Sequence, residues 1–264
     1  MSEKRKKITA IIPAGEEVQQ IRDAIESVRW ADEILVVVDA ASHDGTAAAA
    51  ASSGTGVHVL THEYLHSAAQ KNWAIPRASH DWIFLLDADE RVTPELRGEV
   101  LALMESGPDR DAYWIYRRNV FLGRVMRHGG QQTDKVVRLF SRACRYQDRE
   151  VHAEIEGYHT VGTLHGKIEH HTFRGWEHYM RKFDRYTTLG AQQDFKDGKR
   201  AGFGNVVLRP IHRFLKQYIF RLGFLDGIPG AVSAYLGAFG VFMKYAKLWD
   251  LERARGLEPP SISP

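Results

Sequence analysis

The stretch Trp82-Ile83-Phe84-Leu85-Leu86-Asp87-Ala88-Asp89-Glu90 passes from an apolar run directly into three carboxylates within four positions. An apolar run of this length reads as a strand covered on both faces. In open α/β sheets, ligands bind just beyond the ends of such strands. Asp87 and Asp89 are two positions apart, so an extended backbone would turn both to the same side. Carboxylates this close need a cation, and the arrangement suits a divalent metal holding a diphosphate. The plainer reading is an acidic turn between a strand and a helix, with Thr93 as N-cap and Pro94 at the first helical position. A helix start needs one cap, however, and not three acids ahead of it.

Outward from this stretch, strand-like and helix-like segments alternate from Ile8 to about Ser106. Strands are expected over Ile8–Ile12, Glu33–Val38, Val57–Leu60 and Trp82–Leu86. Helices are expected over Val18–Val28, from Thr46 to Ala51, over His66–Ala78 and over Pro94–Glu105. Such alternation argues for an α/β fold with a mostly parallel sheet flanked by helices. After Gly107 and Pro108 the segments Ala112–Arg117, Lys135–Phe140 and Val151–Ile155 read as strands that extend the sheet in mixed or antiparallel fashion. From Trp176 the chain is helical in character, over Trp176–Phe195, Asn205–Phe220 and Ile228–Arg253. We therefore expect two regions, a catalytic domain over 1–175 and a basic, partly apolar helical extension over 176–264.

Composition narrows the function classes. A hydrophobic content of 44% is that of a soluble globular protein with a real core. The single cysteine, Cys144, excludes an internal disulfide and a cysteine-based zinc site, and points to a reducing cytoplasmic setting. The N-terminal residues run from a basic segment straight into the first strand, without the apolar stretch of a signal peptide. The 13 histidines, His165, His170 and His171 above all, invite a metal reading but show no zinc-ligand spacing. Net charge is only +3, and no nucleic-acid-binding motif accompanies it.

The charge is unevenly spread: Lys196, Lys199, Arg200, Arg209, Arg213, Lys216 and Arg221 share a stretch in which Asp197 is the only acid. An anionic partner suits that region. The uncharged run Ile228–Met243 is shorter than a spanning helix needs, at about 20 residues. With Tyr218, Phe220, Tyr245 and Trp249 nearby, the region reads as a membrane-surface helix or as a helix packed on the domain.

The strand Ile34–Val38 also ends in an acid, Asp39, followed by Asp44-Gly45-Thr46. A carboxylate at such a strand end can accept hydrogen bonds from a base edge or ribose hydroxyls. Its pairing with the acids after Leu86, two strands later, makes a nucleotide site the natural reading. Arg138 and Lys135 are candidate diphosphate clamps, since guanidinium matches phosphate oxygens bidentately. Ordinary salt bridging is the alternative for both.

With these elements in place, the chain resembles family 2 glycosyltransferases, the inverting enzymes of GT-A fold. The resemblance is carried by Ile11-Ile12-Pro13 with Glu16-Glu17, by Ser27 to Ile34, by Asp39 to Thr46 and by Asp87 to Val92. It continues through Tyr116 to Gly123 and Asp134 to Phe140. It is strongest over residues 8–175 and looks most like the branch that contains lipopolysaccharide core β-glucosyltransferases. The resemblance implies an inverting hexosyltransferase with a nucleotide-diphosphate sugar donor, such as a UDP-hexose. It also implies Mg2+ or Mn2+ as cofactor and a cell-envelope glycan or lipid-linked acceptor at the inner face of the cytoplasmic membrane.

Residue by residue, the same resemblance assigns Pro13, Glu16 and Asp39 to the nucleotide pocket and Lys71, in Gln70–Trp73, to the donor side. It gives Asp87, Ala88 and Asp89 to the donor diphosphate, with Asp89 and Asp87 on the metal. The base that takes the acceptor proton falls in the segment from Asp148 to Glu154, with Glu154 preferred and His152 second.

Three positions depart from the family pattern. Gly15 stands where Asn is usual, Gln131 follows Gly130 where Trp is usual, and Ala153 follows His152 where Glu is usual. They leave open a second reading, a catalytically weakened GT-A protein acting as a membrane-associated scaffold or nucleotide-binding module. Nucleotidyl transfer fits less well, because Pro13–Glu17 offers one glycine and two acids where a phosphate loop needs a run of glycines.

Overall fold

The structure is a computed structural model that describes residues 5–149, 153–254 and 256. It begins as the sequence alternation predicts. In order come β1 (Ile8–Ala14), α1 (Ile21–Ser27), β2 (Glu33–Asp39), α2 (Thr46–Ala51), β3 (Val57–His62), α3 (Ser67–Ala74), β4 (Trp82–Leu85), β5 (Glu90–Val92) and α4 (Pro94–Ser106). β1 pairs in parallel with β2 and with β4, and β2 in parallel with β3. Beyond them lie β6 (Ala112–Phe121), β7 (Arg124–Val125), β8 (Lys135–Ser141), β9 (Arg145–Tyr146), β10 (Ile155–Glu156) and β11 (Val161–His171). The main sheet runs β3-β2-β1-β4-β8-β6-β11-β5, with β7 added on β6, while β9 and β10 form a separate two-stranded sheet. β8 pairs antiparallel with both β4 and β6, so the parallel half grows an antiparallel continuation.

Alternation along the strands builds the core on both sides of the sheet. Ile8, Ala10 and Ile12 of β1 share a buried cluster with Ile21 and Ile25 of α1, Ala49 and Ala50 of α2 and Leu96, Val100 and Met104 of α4. Ile11, Leu35, Val37, Ile83 and Leu85 point the other way, onto Ala74 and Ile75. Truncating one of these fully buried Ile or Leu side chains to Ala would cost about 2–5 kcal/mol. α4 starts as its sequence predicts: Thr93 Oγ1 accepts from the Leu96 amide and Pro94 occupies the first turn.

The chain forms two compact units, Met1–Arg118 with Thr133–His170, and Asn119–Gln132 with His171–Pro264. The second unit holds α5 (Trp176–Lys196), α6 (Arg209–Leu215) and α7 (Gly227–Ala254). α6 lies between π-helical turns at Gly204–Leu208 and Lys216–Phe220. By length and composition α7 could cross a membrane. Asp194 on α5 binds Lys199 and Lys244, each at 2.6 Å, which ties α5 to α7 within this unit.

Four strands escape the sequence reading: β5, the two-residue β7 and β9, and the 11-residue β11. β11 is rich in Gly, His and charge, a composition poor in strand formers. Its glycines are there for close approach. A Cβ on Gly166 would come within 2.3 Å of Leu96 Cα, and one on Gly162 within 2.7 Å of the Tyr113 ring. The strand expected over Val151–Ile155 is seen only as Ile155–Glu156, and 151 and 152 lie outside the described residues.

Candidate active site

The parallel strands β1, β2 and β4 end at one edge of the sheet, and the loops that leave them are tied together by side chains. Asp44 is the main tie. Its carboxylate accepts from the amides of Val18 (3.1 Å) and Thr46 (2.9 Å) and from the Thr46 hydroxyl. Thr46 Oγ1 in turn accepts from the Glu17 amide at 2.8 Å, and Ser42 Oγ donates to the Gly15 carbonyl at 3.0 Å. Burial pushes the Asp44 carboxyl up, but the hydrogen bonds from Thr46, Val18 and Ser42 outweigh it and hold the group below its ordinary value. Gly45, at φ +91°, makes the turn that brings Asp44 back over the loop.

Pro13, near the end of β1, is half-buried and registers with Val37 of β2, and Glu16 beyond it is exposed. Asp39 closes β2. Its Oδ1 accepts from the amides of Ala41 (3.0 Å) and Tyr64 (3.3 Å), so the carboxylate is oriented by backbone before any ligand arrives.

The acid-rich turn after β4 separates its three carboxylates. Asp87 is claimed by cations: Oδ1 lies 3.0 Å from Lys71 Nζ, and Oδ2 accepts from Arg138. Glu90 is fully buried, accepts from Arg138 at 2.7 Å and takes the Asp87 amide at 3.0 Å on its other oxygen. Arg117 stands 3.7 Å from Glu90 and holds Asp134 in a two-pronged pair at 3.0 and 2.8 Å. Burial would raise the Asp87 carboxyl, but Arg138 and Lys71 hold it far below the carboxylate range. Burial would lower the Lys71 ammonium, and Asp87 keeps it raised instead.

Asp89 faces elsewhere. Its Oδ2 lies 3.5 Å from Nε2 of His170, at the end of β11. Ala88 between the two acids is buried, and its carbonyl accepts from Arg91 at 2.9 Å. Arg91 reaches on to the Gln20 carbonyl at 2.9 Å and so fixes the turn against the segment leading into α1.

The structure thus joins Lys71, Asp87 and Arg138 in one cluster and puts Asp89 beside His170, one of the histidines that sequence spacing sets aside as a metal ligand. Local spacing could not pair it with Asp89; β11 delivers it through antiparallel pairing with β5, where His170 registers with Glu90. Glu154 is exposed, and its backbone is anchored to Gln147 through a carbonyl that accepts at 2.8 Å. His152 lies outside the described residues.

Among the described residues no group of three or more His, Cys, Asp or Glu side chains is arranged to hold a metal ion. Asp89 with His170 nevertheless fits one kind of ion. Mn2+ can take an imidazole beside a carboxylate, whereas Mg2+ keeps to oxygen and would use Asp89 alone; Mg2+ sites typically take one or two protein carboxylates, with substrate phosphates and water for the rest. A structural zinc site, which needs four protein ligands, does not fit.

A half-parallel sheet with an oriented acid closing β2 and an acid-rich turn after β4 is the architecture of GT-A type sugar transferases. The chain belongs to the family described as glycosyl transferase family 2, whose pattern matches residues 9–155. It is a glycosyltransferase. It is 30% identical over 253 residues to the lipopolysaccharide core biosynthesis glycosyltransferase LpsC of Rhizobium meliloti, covering 90% of this chain and 93% of that one. It is 26% identical over 262 residues to an uncharacterized glycosyltransferase of Rickettsia prowazekii, covering 93% of this chain and 88% of that one. In fold it is similar to a mannosyltransferase of Pyrobaculum calidifontis solved in complex with GDP-Man and Mn2+, with a TM-score of 0.51. That match has 16% identity and covers 97% of this chain and 89% of the other. The GT-A α/β fold and the enzyme class expected from sequence are both found.

Proposed function

We propose that this glycosyltransferase moves a hexose, with inversion, from a nucleotide-diphosphate donor such as a UDP-hexose to a cell-envelope glycan or lipid-linked acceptor. The reaction would depend on Mg2+ or Mn2+ and run at the inner face of the cytoplasmic membrane. The observation that carries this reading is the pairing of Asp89 with His170 beside an Asp87 already neutralised by Lys71 and Arg138. The lipopolysaccharide core biosynthesis role of the Rhizobium meliloti relative supports the acceptor class, and the Mn2+ and GDP-Man of the Pyrobaculum calidifontis complex are in keeping with the donor chemistry.

In this reading Asp39 accepts hydrogen bonds from the nucleoside, with its free rotation already removed by the Ala41 and Tyr64 amides. Pro13 and Glu16 form the pocket wall beside it. Asp89 and His170 would hold the metal, which when bound offsets the charge gathering on the leaving diphosphate. Lys71 and Arg138 act on the same diphosphate site by fixing Asp87 and adding buried positive charge near it. Glu154, or His152, takes the proton from the acceptor hydroxyl as it attacks the anomeric carbon from the face opposite the diphosphate.

The test is a screen of UDP-, GDP- and dTDP-sugars for Mn2+-dependent hydrolysis and for transfer to membrane glycolipid fractions. The metal-dependent reading expects Asp89→Ala to abolish both, and unchanged turnover in that variant would overturn it. Gly15 and Ala153 favour the scaffold reading instead. That reading predicts no Mn2+-dependent UDP binding by calorimetry.

A further inference from the structure

The turn that joins the two halves of the helical unit exposes six large apolar side chains: Ile219, Phe220, Leu222, Phe224, Leu225 and Ile228. Phe220 is 76% and Ile228 78% exposed. Soluble proteins scatter such residues singly and rarely gather them, so a contiguous patch marks an interaction surface. Here the backbone enforces the display. A Cβ on Gly230 would lie 2.0 Å from the Gly223 carbonyl, and one on Gly223 2.6 Å from that of Gln217. The turn is closed glycine against backbone, and the bulky residues have only the outside left. Leu222 holds φ +58°, a conformation uncommon for a bulky residue, which marks a turn kept in shape by its surroundings.

The polar groups of the turn are disposed in the opposite sense. Asp226 is the only acid between residues 198 and 249, and it is 2% exposed. Its carboxylate accepts from the amides of Arg127 (3.1 Å) and His128 (2.8 Å) and sits 3.0 Å from His128 Nδ1. Gln217 is buried and donates to Ser233 at 3.0 Å. The cations stay outside: Arg213, Lys216 and Arg221 on the helix side, and Arg124 and Arg127 on the loop that Asp226 holds. The result is an apolar tip with a basic rim and its one acid turned inward.

We propose that this tip, residues 219–228, dips into the headgroup boundary of an anionic lipid bilayer while its basic rim binds lipid headgroup charge. A large apolar face with Lys and Arg around it is the composition of interfacial membrane contacts. A second copy of the chain would bring the same basic rim against itself, so charge disfavours self-association on this surface. Spanning by α7 is disfavoured by its neighbours, since Arg213 and Gln217 abut Gly237, and Phe183 abuts Gly240. The inference rests on the acceptor half of the proposed function and not on its donor half.

The test is flotation of the full chain with phosphatidylcholine vesicles, with and without phosphatidylglycerol. Binding is expected with the anionic vesicles, weakening as salt rises. The Lys216→Gln, Arg127→Gln double variant should lower partition by about thirtyfold, at roughly fivefold per surface charge near an anionic membrane. Phe220→Asp with Ile228→Asp should abolish it and leave UDP binding unchanged by calorimetry. Because Cys144 is buried, a Phe220→Cys variant can carry a polarity-sensitive dye at one site, and its emission should shift blue on anionic vesicles only. Equal flotation of the double aspartate variant, or a dimer in solution that this variant splits while the wild type ignores vesicles, overturns the proposal. A wild-type chain that floats with anionic vesicles but binds no UDP would instead count against the donor reading alone.

Discussion

His170 Nε2 lies 3.5 Å from Asp89 Oδ2, although the two residues come from separate segments of the first unit's sequence. If both hold the metal, His170→Ala should weaken Mn2+ binding in the presence of UDP by on the order of tenfold or more, since losing even an outer partner of a metal ligand costs that much. Asp89→Asn should cost more, because it removes charge as well as a donor atom. Calorimetric titration of Mn2+ into each variant with UDP present checks the order, and equal affinities would remove His170 from the site.

The Lys71–Asp87–Arg138 cluster predicts a pH signature in stability. Asp87 is held below its unfolded value of about 3.9, so its contribution is fully present above that pH and is lost as pH falls toward the folded value. Lys71 is held above its unfolded value of about 10.4, so its share is present below that pH and is lost as pH rises beyond it. Asp87→Asn leaves two buried cations facing a neutral amide, a loss of up to about 3 kcal/mol. The loss should be smaller than for a wholly buried pair, since Asp87 is 32% exposed and partly screened. Urea unfolding at pH 7 and at pH 3 should show the gap between wild type and variant shrinking at the lower pH.

Much of this was legible in the sequence because burial and periodicity agree over the parallel half. β1, β2 and β4 are apolar runs that end in loops, and Asp39 and Asp87 stand where runs stop. What could not be read is set by contacts between distant segments. Asp87, Ala88 and Asp89 look like one motif, yet Lys71 and Arg138 claim the first acid and His170 approaches the second. Arg138 reads in sequence as a candidate phosphate clamp, and in the fold it is buried between Asp87 and Glu90. β11 was missed because its glycines answer to Leu96 and Tyr113, partners that only the folded sheet reveals.

Two glycines near one another in the fold should behave oppositely on substitution. Gly166→Ala drives a methyl into the Leu96 backbone at 2.3 Å, an overpacking that costs about 1–3 kcal/mol and disturbs the strand that ends at His170. Gly98→Ala adds a methyl into open space in the interior of α4, where the helix should gain about 0.5–1 kcal/mol. Thermal melts of the two variants should move in opposite directions, and Gly166→Ala alone should also lower Mn2+-dependent activity.

The identity of the base is decided by comparing Glu154→Gln with His152→Ala. Glu154 is exposed and held through its backbone to Gln147, so its amide replacement should leave the fold and donor affinity intact. Removal of a general base costs about 10²–10⁴ in rate. If Glu154 is that base, Glu154→Gln should lower kcat for transfer by that factor, with KM for the donor and Mn2+-dependent UDP binding unchanged. The acidic limb of the kcat profile against pH should vanish with it, because that limb reports the base losing its charge. The same pattern in His152→Ala, with Glu154→Gln near wild type, would move the role to the histidine. A drop confined to the acceptor KM in both variants would show that neither takes the proton, and that both only line the acceptor site.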